Sequence, residues 1–75
     1  MPHVLHLLKA PVPEHALTAI EQQSRDPGTT LTVVLREDTE PPPLPSGVQV
    51  RRLPDTLTYA ELLDLIFAAD QVISW

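Results

Sequence analysis

The side chains able to do chemistry in this chain are few, and their spacing decides what each could do. His3 and His6 in "HVLH" are the first metal-ligand candidates, but residues three apart on a strand point to opposite faces, so both cannot grip one ion on a straight strand. Histidines at a strand start bonded to neighbouring backbone are the expectation, with a pH-sensitive interface contact the alternative. His15 falls early in a helix, where a protonated ring is mildly unfavourable, and should be solvated. Nucleophilic catalysis needs a hydroxyl or thiol beside a base held by an orienting group. Ser24, Ser46 and Ser74 have no elbow glycine or neighbouring histidine, and cysteine is absent. The acids Glu37, Asp38 and Glu40 lack the glycine and alternating ligand spacing of a calcium loop and read as a solvated strand end. Gly28 and Gly47 stand apart, so no phosphate-cradling loop is written here. No catalytic residue, metal ligand or cofactor site is therefore expected, and the chain does not read as an enzyme. What remains is aromatic: Tyr59, Phe67 and Trp75, the only Trp, on which the sequence closes.

The elements that must position these residues follow from hydrophobic patterning. "PHVLHLL" is a nearly continuous apolar run, fitting a strand buried on both faces. "APVPEHALTAIEQQSRDPG" predicts a helix with Pro13 at its first position, Glu14 at its positive end, and Ala16, Leu17 and Ile20 on its apolar face, ending near Ser24 or Arg25. "TTLTVVLRE" is a second central strand. Residues 38–47, "DTEPPPLPSG", place four prolines in five residues, a stiff exposed connection that serves as a spacer or as a docking site for a proline-reading module. "VQVRRL" alternates as a half-exposed strand whose Arg51 and Arg52 blunt an edge.

The second helix has the strongest signals. Thr58 and Glu61 form a T-x-x-E capping box and Leu57 can staple against Leu62. Leu62, Leu63, Ile66 and Phe67 make one apolar stripe with Leu65 and Tyr59 at its flanks, while Glu61, Asp64 and Asp70 stay toward water. "QVISW" is the last strand. The order β-α-β-β-α-β over residues 1–75, one domain, permits two architectures. A hairpin between strands two and three gives a ferredoxin-like α+β fold, but a ten-residue connection is long for a hairpin. A mainly parallel four-stranded α/β sheet with packed helices agrees better with two strands apolar on both faces.

Composition sets the remaining limits. A single domain of 75 residues lies near the lower bound for an unaided core. Five basic against ten acidic residues give a net charge of -5, the wrong sign for tracking nucleic acid or an anionic bilayer. The opening "MPHVLHLLKAP" is too short an apolar run for a span and lacks a leader's basic flank, so a cytoplasmic protein is expected.

Thr58, Tyr59, Glu61, Leu62, Leu63, Leu65 and the closing Trp75, with the opening "MPHVLHLLKAP" and "TVVLRED", resemble the DsrH/TusB-like small subunits of the DsrE-type sulfur-relay family. The chain is shorter than that family's usual members, and the proline run stands where they have a strand-helix segment. The resemblance implies a three-layer α/β fold, assembly with itself or with DsrE-like subunits, and a place in sulfur transfer such as tRNA thiolation or sulfur oxidation. Carriers in this family hold sulfur as a cysteine persulfide, which this chain cannot form. It therefore implies a docking subunit, with His3, Tyr59, Leu63, Phe67 and Trp75 as contact candidates. For Tyr59 and Trp75 the residues alone leave two roles open, closing the core or meeting a partner.

Overall fold

A computed structural model describes residues 2–36, 39–53, 55 and 57–75. Four strands, β1 (His3–Leu8), β2 (Thr30–Leu35), β3 (Gln49–Arg52) and β4 (Gln71–Ser74), form one sheet in the order β3-β2-β1-β4. Every neighbouring pair is parallel. β1 and β2 run in register from His3 opposite Thr30 to Leu8 opposite Leu35. β4 lies on the far side of β1 and β3 on the far side of β2. The parallel β2–β3 pairing leaves no hairpin, and with it no ferredoxin-like arrangement.

The two strands without polar alternation are the two inside the sheet, because both of their faces are covered. On one face Val4, Leu8, Leu31, Val33 and Leu35 meet Ala16 and Ile20 of helix α1 (Glu14–Ser24). On the other, Leu5, Val34, Leu53 and Leu57 meet Leu62, Leu65, Ile66 and Ala69 in and just beyond helix α2 (Tyr59–Ala68). A helix on each face makes three layers.

Pro13 caps α1 instead of opening it. Its ψ of 148° is extended, and its carbonyl accepts the Ala16 N–H to close the first turn. Beyond the helix, the Asp26 carboxylate accepts the Gly28 N–H and the Thr29 hydroxyl, a turn that lowers its pKa through those two bonds.

The proline segment is mostly exposed but touches the core at two points. It carries the chain from β2 to a parallel β3 with no helix among its described residues. Leu44 and Val48 pack into the core on the α1 side. Buried Thr39 accepts the Ala10 N–H on Oγ1 at 3.1 Å, tying the segment to the loop after β1. Gly47, at φ 90°, makes the left-handed turn into β3.

The α2 capping box forms in both directions: Thr58 Oγ1 accepts the Glu61 N–H and Glu61 Oε1 accepts the Thr58 N–H, each at 3.1 Å. The helix is rotated, however, from the orientation its apolar stripe predicts. Leu62, Leu65, Ile66 and Ala69 face the sheet, while Leu63 and Phe67 turn outward with Tyr59. Its acidic flank lies on the β3 side, where Glu61 and Asp64 border a groove with Gln49 and Arg51.

Candidate functional site

Buried His6 lies at the middle of one arrangement. Its Nε2 is 2.7 Å from Gln23 Oε1 of α1, and its Nδ1 accepts the Trp75 indole N–H at 2.9 Å. An indole N–H only donates, so Nδ1 must be bare and the proton must sit on Nε2, donated to Gln23. The imidazole and indole lie 9° from coplanar with centroids 6.2 Å apart. That separation is too long for face stacking, and the in-plane hydrogen bond shows the rings joined edge to edge. Burial holds the His6 pKa below its ordinary value, the bond to Gln23 opposing this. Trp75 thus packs half-buried against the α1-side core.

His3 faces the other way. Its ring Nε2 is 2.8 Å from Thr32 Oγ1, its N–H donates to Asp70 Oδ2 at 2.7 Å, and its carbonyl accepts the Asp70 N–H. These bonds fasten the start of β4 to β1. The two histidines do not converge, and no group of three His, Asp or Glu converges among the described residues. Glu37 and Asp38 lie outside those residues. The Ser24 hydroxyl donates to the Glu21 carbonyl; Ser46 and Ser74 are exposed.

The third arrangement is a surface. Tyr59, Leu63 and Phe67 recur every four residues on α2, so they stack along one helical stripe. They are 57%, 55% and 83% exposed. Since the Glu61–Asp64 flank overlies β3, this stripe occupies the opposite flank, toward β1 and β4. Val72 of β4, also exposed, extends from the same face of the sheet. Of the five contact candidates, Tyr59, Leu63 and Phe67 come together here; His3 and Trp75 are engaged within the fold. Val72 was not singled out in the sequence, where nothing marks which strand ends beside α2.

At the carboxyl edge of the sheet, where open parallel sheets receive ligands, Lys9, Arg36, Leu53 and Tyr59 border an open depression of about 360 Å³. A second groove of about 340 Å³ runs between β3 and the acidic flank of α2. No helix among the described residues is long and apolar enough to cross a membrane.

Fold and surface together define a minimal three-layer parallel α/β domain in which, among the described residues, one apolar helix flank is largely exposed. No protein-family model matches the chain, nor does any curated protein or solved structure.

Proposed function

We propose that this chain is a non-catalytic assembly subunit that docks through the outer flank of α2, and that it serves a cytoplasmic sulfur-relay complex of the DsrE/DsrH type. The observation that carries the docking reading is the Tyr59–Leu63–Phe67 stripe, with Phe67 83% exposed. Single exposed apolar residues need no explanation, but a contiguous apolar stripe that includes two aromatic rings supports an interaction site. The sulfur-relay setting rests on the resemblance of the Thr58–Leu65 motif and the closing Trp75 to the DsrH/TusB-like subunits. The absence of cysteine supports a scaffold role within it, because persulfide transfer requires a thiolate on some other chain.

Affinity purification of the tagged chain from its native cells tests both parts. Cysteine-bearing DsrE-like subunits recovered in fixed ratio are the expected result. Recovery of no second chain, neither a DsrE-like subunit nor another copy of this one, or of partners retained equally by a Phe67→Glu chain, overturns the docking reading, and recovery of this chain alone removes the sulfur-relay setting.

A second reading, binding of a small anionic ligand, is favoured by Lys9 and Arg36 beside the carboxyl-edge depression. Inorganic phosphate should then shift the amide resonances of Lys9 and Arg36, and an unshifted spectrum removes it.

A further inference from the structure

The two edges of the sheet are built differently. β3 is guarded: it carries Arg51 and Arg52, and charge on an edge strand opposes pairing with another sheet. β4, Gln71–Ser74, has no charge and no proline, and it is paired on one side only, with β1. The uncovered stripe of α2 lies toward this unguarded edge, not toward the guarded one. We propose that β4 pairs antiparallel with β4 of a second copy of the chain, so that two sheets continue into one and the Tyr59–Leu63–Phe67 stripes meet above the joined strands. This rests on the docking reading and names the occupant of that surface.

Several observations select a second copy. A two-fold axis perpendicular to the sheet sets a strand antiparallel to its own copy and leaves both α2 helices on the same side of the extended sheet. One symmetry operation therefore satisfies the strand edge and the helix stripe together. Charge permits it: each copy carries -5, but Glu61 and Asp64 lie on the far flank of α2, and Asp70 is held by the His3 N–H. Apart from Asp70, the residues named on the meeting surface carry no charge. Large side chains carry roughly 150–250 Å² each when aromatic, so the four exposed residues offer on the order of 400–500 Å² per copy. Two copies with their strand edges then reach about 1,000 Å², the threshold for a specific interface.

Sedimentation equilibrium of the purified 75-residue chain tests this, with far-UV circular dichroism confirming that each variant is folded. The wild-type chain should show twice its 8.3 kDa mass. Val72→Lys, on the β4 edge, and Phe67→Glu, on the stripe, should each return it to the single mass, while Val50→Lys on the β3 edge should leave the dimer intact. Amide exchange on the unmodified chain gives an independent readout: the β4 amides should slow as concentration rises. A wild-type monomer at every concentration, a dimer split by Val50→Lys but not by Val72→Lys, or concentration-independent β4 exchange overturns the pairing. A monomer that captures cysteine-bearing subunits through Phe67 overturns self-pairing while the docking reading stands. A dimer that captures none preserves the pairing and removes the sulfur-relay setting.

Discussion

Replacing Trp75 with Phe keeps an aromatic ring against the α1-side core and deletes one hydrogen-bond donor. The donor matters because its acceptor, His6 Nδ1, belongs to a side chain with no exposed surface, so the orphaned nitrogen meets little water. Leaving a buried acceptor unpaired costs about 1–3 kcal/mol, and the smaller ring adds on the order of 1 kcal/mol of lost packing at a half-buried site. The expected loss is about 2–4 kcal/mol, a large share of the stability of a domain this small. For a chain of this length each kcal/mol moves the midpoint by roughly 4–8 °C, so Trp75→Phe should melt at least about 8 °C lower. The assay is urea and thermal unfolding at pH 7.5 followed by far-UV circular dichroism, because the substitution removes the only indole. His6→Phe with Trp75→Phe closes a double-mutant cycle. Gln23, only half-buried, can turn to water, so the double variant should be more stable than the two single losses add up to, by about 1–2 kcal/mol. A single variant within about 0.5 kcal/mol of wild type, or strictly additive losses, would refute the edge-to-edge bond as a stabilising contact.

Further outcomes follow from the same structure. Unfolded His6 titrates near 6.5 and its folded pKa is lower, so below 6.5 the unfolded chain binds more protons and stability falls as pH falls. The loss starts well above the range of Asp26 and Glu61, whose pKa values are lowered from 3.8 and 4.5, and a melting series should show it flattened in His6→Phe. Thr58→Ala removes half the capping box and should cost about 1 kcal/mol, read as a melting point roughly 4–8 °C lower; an unchanged midpoint would show the cap to be redundant. Phe67→Glu should change monomer stability by less than about 0.5 kcal/mol, since the ring is mostly in water, yet abolish docking. A strongly destabilised variant would place Phe67 in the core instead.

Much of the architecture is legible in local patterning because burial on both faces leaves a distinct trace. Leu31–Leu35 and Val4–Leu8 carry almost no alternation, and they are the two interior strands. The arginines of β3 announce an edge, and the Thr58–Glu61 pair fixes a helix start to the residue. Less legible is how a broad apolar arc divides between core and solvent. The arc of α2 covers more than the sheet accepts, and spacing alone does not say which part turns outward. The His6–Trp75 bond likewise spans nearly the whole chain, and spacing alone has no signal for it. The parallel return from β2 to β3 was readable as a possibility, but the packing of Leu44 into the core was hidden by the prolines around it.

The docking proposal requires the outer flank of α2 to be covered in the working assembly. Hydroxyl-radical footprinting of the purified chain and of the particle isolated from native cells measures this on the side chains themselves. Tyr59, Leu63 and Phe67 should be oxidised readily in the dilute isolated chain and protected in the particle, while Val50 at the opposite edge labels equally in both. Equal labelling of the three in both samples would contradict the account.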